Sequence, residues 1–477
     1  MRDHSKHIEL SREEAVAAML GKCAFPKVEG APMEELVPVA ESFGRVLARD
    51  VASLVDKPNK LQCCMDSIAV HWEAFEGLPA GELPDTSAWV RGADWEFANT
   101  GVAMPDGFDA AIVIEHVSVS ADEQHVQIDA APSARFAGTR APGSQMKRGD
   151  ALARAGETVT PDVAARIATG NVTAVPVRVK PKVAFIPTGD ELVVPGGPIE
   201  TGRNIETNSL LFRGKVEKWG GVPLVFDIVP DDPGLIKDAI RRACAMADIV
   251  VLNAGSSKGS EDWNCEQMEE LGEVICHETN HGPGHHSSYA LVDGTPVVGI
   301  SGPPAGASFT LNFYLRPLMM RFLGRPTEPE RIPVRLVAPF SAKKGHGGGK
   351  AIGAAKAGGA GDVAAGADAG ISAAGDAAIG ADVAGAETAA GTAVSEESAP
   401  AKVAGEVRPS IVAPGATFFS IKFLTVEAAP DGTLSGTPLP GRPGSPEAET
   451  ANAYYMMPSG PGVKPPAVGD VIWVEMR

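Results

Sequence analysis

Between Pro181 and Gly324 apolar runs of five or six residues alternate with stretches long enough for helices, and this rhythm constrains the fold more than any other feature. Val183–Ile186, Val222–Ile228, Ile249–Leu252 and Pro296–Ile300 are predominantly apolar, so they predict strands buried on both faces, as in a parallel sheet covered by helices. Between them, Asn208 reads as a helix cap, Asp232-Pro233 as a cap followed by proline in the first turn, and Asp262 after Gly259 as a third helix start. Gly220-Gly221 ends the first of these helices. A long apolar helix is expected from Ser308 to Leu323. The segment therefore predicts a doubly wound parallel α/β domain, a fold that binds ligands at the carboxyl ends of its strands.

The flanking stretches have other patterns. Ser11 followed by Glu14 forms a capping box, which starts a helix with Val16, Met19 and Leu20 on its buried stripe. Glu41 to Asp50 predicts another helix, with Phe43, Val46 and Leu47 on one face. From Val51 to Met146 short apolar runs are cut by Gly, Pro and Asp, as in Ala110–Ile114 after Pro105-Asp106-Gly107, which predicts a β-rich module. Ser341 to Thr417 holds no Leu, Phe, Tyr or Trp and is dominated by Ala and Gly. So little large apolar surface does not offset the backbone entropy lost on ordering, and a disordered insertion is expected over 343–406. Alternation returns at Thr417–Phe423, and Val471–Val474 closes a small C-terminal β-domain.

Charge and cysteine usage narrow the function classes. With 42 Lys+Arg against 60 Asp+Glu the chain carries a formal charge of −18, which repels phosphate backbones and anionic lipid. No nucleic acid and no membrane partner is expected. The 6 cysteines form no CxxC pair, so neither a zinc knuckle nor a disulfide scaffold is suggested and a reduced, cytoplasmic protein fits. No leader-like or membrane-spanning apolar segment occurs.

Four motifs carry chemistry. Asn253–Asp262 joins a buried strand to a helix through Gly255, Ser256, Ser257, Lys258 and Gly259. Small residues there let amides at a helix start approach an oxyanion, with a lysine and hydroxyls to assist; a plain βα turn would need the same glycines. Thr188-Gly189-Asp190-Glu191 and Pro230-Asp231-Asp232 place carboxylates on the same sheet edge, where Mg²⁺ would bridge protein to phosphate oxygens. Singly, Asp232 needs be no more than a cap and Asp190 no more than a turn residue. Ser301-Gly302-Pro303-Pro304-Ala305-Gly306 is a second small-residue loop after a strand. His277, His281, His285 and His286 have ligand-like spacing, but Gly282-Pro283-Gly284 breaks the helix that would align them. Cys63-Cys64 has no adjacent basic residue to activate a thiol.

In this order the motifs resemble the molybdopterin molybdotransferases, the MoeA/gephyrin E-domain family, over about residues 8–340 and 407–477. The most specific matches are Thr100-Gly101 to Glu115, Thr188–Leu192, Asn204-Ile205-Glu206-Thr207-Asn208, the Gly/Ser loop ending in Glu261-Asp262, Gly444-Ser445, and Ala451–Tyr454. The resemblance implies an elongated homodimer whose subunit has a helical hinge domain (8–50 and 147–180), a β-rich domain (51–146), an α/β molybdopterin- and nucleotide-binding domain (181–326) and a C-terminal β-barrel-like domain (327–342 and 407–477). It also implies insertion of molybdate into adenylylated molybdopterin with Mg²⁺ and release of AMP. Glu191, Asp231 and Asp262 match the family's acidic, metal-placing positions, and Asp66 matches an acid that reaches the pocket from the partner subunit. Thr188, Gly189, Asp190, Asn208, the 255–259 loop, His285, Ser301 and Gly302 would line the substrate site.

The sequence departs from the family pattern at defined places. The run around the β-domain acid is Cys63-Cys64-Met65-Asp66-Ser67-Ile68-Ala69, the acidic pair after Arg140 and Gly143 is Ser144-Gln145, and Gly282 and His285 stand where lysines flank the Pro283-Gly284 step. Gly302-Pro303-Pro304 replaces a Gly-Asn-Pro pattern. Losing fixed cations and one acid motivates a second reading, a non-catalytic paralogue that binds molybdopterin or molybdate as sensor, carrier or scaffold.

Overall fold

A computed structural model describes residues 8–79, 81–253, 263–340, 416–441 and 443–477. The expected insertion at 343–406 lies outside the described residues. Helix α1 (Arg12–Lys22) starts as its capping box predicts: the Ser11 amide donates to Glu14 at 2.9 Å and the Glu14 amide returns a bond to Ser11 Oγ at 3.3 Å. Met19 is fully buried on its inner stripe, and the helix packs on the helix Arg316–Phe322 and the antiparallel edge of the α/β sheet.

Strand β1 (Glu34–Pro38) is followed by a correction. The helix expected over Glu41–Asp50 is only a 3₁₀ turn at Val39–Glu41. Gly44 takes φ +73°, which ends any helical run, and Val46 and Leu47 instead bridge Thr158 and Val177 as extended backbone. Phe43, expected on the buried face, is 55% exposed. Beyond it lies an antiparallel sheet, β2 (Ser67–Val70) between β3 (Trp95–Ala98) and β4 (Ala110–Val113). Ile68 and Val70 pack with Trp95 and Ile112 on one face, while Ala69 joins Cys63 and Met104 on the other, following the two-residue period of a strand. Helix α2 (Pro161–Thr169), capped by Thr160, precedes β5 (Ala174–Arg178), which pairs antiparallel with β1. One core ties these pieces across the chain: Val39, Leu47 and Val51 pack with Leu152, Ile167 and Val177.

The α/β region runs β6 (Lys182–Pro187), α3 (Asn208–Lys218), β7 (Val222–Val225), α4 (Pro233–Met246), β8 (Ile249–Asn253), α5 (Trp263–Leu271), β9 (Glu273–Cys276), β10 (Ser288–Val292) and β11 (Thr295–Ile300). Ala184 and Ile186 of β6 pack against Ile236 and Ile240 of α4. Phe185 points to the opposite face and meets Phe212 of α3, ring centroids 4.9 Å apart. Burial of both faces explains why these strands read as unbroken apolar runs. The sheet order is β7-β6-β8-β11-β10-β9, and only its first four strands are parallel. The expected doubly wound parallel sheet holds over those four strands, and two antiparallel strands extend it at one edge. Asp293 and Gly294 both take positive φ, +47° and +74°, which makes the β10–β11 connection a tight hairpin and turns the sheet antiparallel there.

Helix α6 (Pro304–Thr310), a π turn at Leu311–Leu315 and α7 (Arg316–Phe322) form the expected apolar helix, which starts at Pro304 rather than Ser308. Pro317 has no amide for an i−4 carbonyl, and the π turn lies directly before it. Strands β12 (Arg331–Leu336), β13 (Phe418–Ala428), β14 (Leu434–Pro438), β15 (Ala453–Ser459) and β16 (Val471–Met476) close into a five-stranded barrel, because β13 pairs with both β14 and β15. A buried ionic joint fastens this barrel to the front of the chain. Arg12 donates to Glu475 at 2.7 Å, Arg331 reaches the same carboxylate at 3.1 Å, and the Arg12 guanidinium lies 3.7 Å above the Phe313 ring. Among the described residues no helix is long and apolar enough to cross a membrane.

Candidate functional site

The carboxyl ends of β6, β8 and β11 meet at one edge of the sheet. At the end of β6, the Thr188 amide and hydroxyl both donate to the Asn253 carbonyl, at 3.1 and 2.9 Å, locking β6 to β8. Gly189 follows with φ +145°, and a Cβ there would lie 2.7 Å from a Glu191 carboxylate oxygen, so only glycine lets the chain turn with that carboxylate in place. Asp190 and Asp231 face each other across the edge: the Asp231 amide donates to Asp190 Oδ1 at 3.1 Å and the Asp190 amide to Asp231 Oδ2 at 3.4 Å. Partial burial, then the charges of Asp190 and Glu191, push the Asp231 carboxyl above its ordinary range despite the bond from the Asp190 amide. Three crowded carboxylates are the hard oxygen donors that a Mg²⁺ ion prefers.

Asn208 is corrected from cap to cross-link. Thr207 occupies the cap position without a side-chain bond, and the buried Glu206 carboxylate takes the Ser209 amide at 2.9 Å instead. Free of capping, Asn208 Nδ2 donates to Asn253 Oδ1 at 2.9 Å and to the Gly302 carbonyl at 2.8 Å, tying α3, β8 and the loop after β11 at one point. Its buried Oδ1 has no partner among the described residues. Beside it opens a cavity of about 350 Å³ lined by Glu191, Asn204, Glu206, Asn208, Asn253 and Gly302, among others. Ser301 Oγ fills the space above Gly306, where a Cβ would lie 2.4 Å away, so the 301–306 loop curls tightly onto the start of α6.

Thr188, Gly189, Asp190, Glu191, Asn208, Asp231, Ser301 and Gly302 thus gather at the sheet edge. His285 does not line the cavity. Its exposed ring lies 3.6 Å from that of His286, on a turn where Gly284 packs closely against Thr310 of α6. Asp66 lies in the β-rich module, where the amide and hydroxyl of Thr100 donate to it at 2.8 and 2.9 Å and hold its carboxyl below the usual range. Gly255, Ser256, Ser257, Lys258, Gly259 and Asp262 lie outside the described residues, as does the predicted helix start at Asp262. The histidines find separate partners: His281 is buried against the Tyr314 hydroxyl at 2.7 Å, His277 meets Glu269 at 2.9 Å, and His286 meets Glu278 at 3.1 Å. Burial, reinforced by the charge of Arg12, pushes His281 down to about 3, so it stays neutral. Glu206 and Asn253 lay inside the motifs singled out in the sequence but were not themselves assigned to the site. Asn253 carried a usable signal, a polar residue closing an otherwise apolar strand.

Comparison with known proteins follows this geometry. Residues 10–170 match the family profile described as "MoeA N-terminal region (domain I and II)", and residues 184–321 match the one described as "Probable molybdopterin binding domain". The chain is 25% identical over 351 residues to the molybdopterin molybdenumtransferase of Haemophilus influenzae, covering 71% of this chain and 84% of that one. It is 27% identical over 330 residues to the molybdopterin molybdenumtransferase of a Nostoc species, covering 65% and 74%. Two crystal structures of the molybdopterin biosynthesis MoeA protein of Pyrococcus horikoshii share the fold, with TM-scores of 0.66 and 0.61, 20% and 19% identity, and 98% of this chain covered.

Proposed function

Since the chain belongs to the MoeA family, we propose that it is a molybdopterin molybdotransferase, inserting molybdate into adenylylated molybdopterin and releasing AMP. The observation that carries this reading is the cavity at the carboxyl edge of the sheet, with a buried acceptor at Asn208 Oδ1 that has no partner among the described residues and the crowded Asp190, Glu191 and Asp231 carboxylates beside it. Asn208 accepts a donor of the bound pterin or nucleotide, while Thr188, Gly189, Ser301 and Gly302 hold the backbone that shapes the pocket. Gly255, Ser256, Ser257, Lys258 and Gly259 cradle the phosphates. Glu191, Asp231 and Asp262 hold Mg²⁺, which when bound offsets phosphate charge. Asp66 completes the site across a homodimer, in the cytoplasm.

Asp231→Asn and Glu191→Gln test the assignment. Each should cut molybdate-dependent AMP release at least tenfold while leaving the circular dichroism spectrum unchanged and the thermal transition cooperative and no lower than in the wild type. Undiminished release in both would remove these residues from the site. A second reading has its own observation: the 282–286 turn carries His285 and Gly282 where the family carries lysines, so fewer fixed cations meet the anion. A non-catalytic binder of molybdopterin or molybdate predicts tight binding with no AMP.

A further inference from the structure

Helix α5 and the residue after β9 bring together a thiol, a carboxylate and an imidazole that the proposed reaction does not use. Cys265 and Glu269 lie four residues apart on α5 and so share one face of the helix. That face meets His277, which directly follows β9. One ligand-type atom from each side chain lies within 4.8 Å of the other two, the sole such trio of His, Cys, Asp and Glu side chains among the described residues. Cys265 is buried and Glu269 is exposed, so the group runs from the interior to solvent and an ion can enter from the Glu269 side.

We propose that Cys265, Glu269 and His277 form a binding site for a divalent zinc-class ion, with water as the fourth ligand. The donor set is mixed: a soft sulfur, a borderline nitrogen and a hard oxygen. That combination suits zinc or cobalt(II) rather than magnesium or calcium, which select oxygen alone. Ideal zinc–ligand lengths of about 2.0–2.3 Å place tetrahedral donors about 3.3–3.8 Å apart. His277 Nε2 and Glu269 Oε1 stand 2.9 Å apart as a hydrogen bond and need separate by only a few tenths of an ångström, while the Cys265 sulfur, within 4.8 Å of both, closes in on the ion. The His277 backbone is already held in place, because its amide donates to the Ile8 carbonyl at 2.9 Å, while the ring Nδ1 accepts the Ile8 amide at 3.1 Å. With Nε2 on the metal the ring proton moves to Nδ1, and the Ile8 amide, near the exposed start of the described chain, gives up that bond. The neighbouring Cys276 is no competitor, because its thiol is buried and turned to the Glu278 carbonyl at 2.9 Å. Bound metal would staple α5 to β9, and α5 is the helix that the 254–262 segment runs into.

The test uses the full-length protein without a histidine tag. Titration with zinc chloride should give one tightly bound ion per chain, and cobalt(II) should give tetrahedral visible bands with a thiolate-to-metal charge-transfer band. Cys265→Ser and His277→Gln should each weaken zinc binding at least a hundredfold and abolish the charge-transfer band, while Cys276→Ser retains both. Absence of the band in the wild-type protein overturns the proposal without recourse to any variant, because the proposed site holds a thiolate; a band that is present does not come from the carboxylate cavity, which no cysteine lines among the described residues. Equal zinc binding by wild type, Cys265→Ser and His277→Gln overturns it too, and places the ion elsewhere.

Discussion

Asp231 carries the electrostatic strain of the cavity in a single side chain. Its carboxyl is raised in the folded protein, so the folded state holds a proton that the unfolded chain has already released. Stability therefore falls as pH rises from the unfolded value near 3.8 through the folded one, and at neutral pH the crowded carboxylates oppose folding. Asp231→Asn should raise the melting temperature of the ligand-free protein by a few degrees at pH 7 and by less at pH 4, while AMP release falls. Scanning calorimetry at both pH values checks this; an equal rise at both would deny that charge crowding is the cause. Asn208 is the opposite kind of residue, one that holds structure and faces ligand at once. Asn208→Ala would leave Asn253 Oδ1 and the half-buried Gly302 carbonyl without its two donors, the buried Asn253 acceptor alone costing about 1–3 kcal/mol. Urea unfolding should show that loss; a change under 0.5 kcal/mol, about the scatter of surface substitutions, would mean that the cross-link is dispensable. In the sequence Asn208 looked like a cap because asparagine at a helix start usually is one. Only the approach of β8 and the β11 loop, contacts distant in sequence, reveals what it does.

At the scale of elements, α4 separates cap from site. Asp232 takes the Leu235 amide at 2.9 Å as the cap, while its neighbour Asp231 faces the carboxylates. Asp232→Ala should cost about 1 kcal/mol of stability with AMP release preserved, the reverse of the Asp231 result. Loss of activity out of proportion to stability would move Asp232 into the site. The α/β strands were legible because burial on both faces leaves an unbroken apolar run, and the capping box of α1 because both its residues lie within one turn. The Glu41–Asp50 segment was not, since Phe43, Val46 and Leu47 have helical spacing but Gly44 breaks the helix and the partners of Val46 and Leu47 lie more than a hundred residues away. The antiparallel half of the sheet could have been read: Asp293-Gly294 between two apolar runs is a hairpin signal that the βαβ rhythm obscured. Of the site, the residues at strand ends were legible. The pairing of Asn208 with Asn253 was not.

Across the whole molecule, the first helix and the last strand are held together by ions. Burial alone would raise the Glu475 carboxyl, but the charge and hydrogen bonds of Arg12, the Tyr454 hydroxyl and Arg331 outweigh it and hold the carboxyl below its usual range. That stability is present above the unfolded value of 4.5 and is lost as pH falls through the folded one. Glu475→Gln strands the buried Arg12 charge, while Arg331 keeps Glu13 at 3.2 Å, and should cost about 3–5 kcal/mol at pH 7, with a smaller penalty toward the pH at which Glu475 itself protonates. Denaturant unfolding across that range checks the slope; a penalty independent of pH would assign the joint to packing.

The central claim is that the carboxyl-edge cavity carries out transfer. Its most direct measurement is AMP release, followed by chromatography, from adenylylated molybdopterin incubated with the purified protein, Mg²⁺ and molybdate. The account predicts release that depends on molybdate. Tight binding of the adenylylated pterin with no AMP would contradict it, leaving a protein that keeps the cavity without the chemistry.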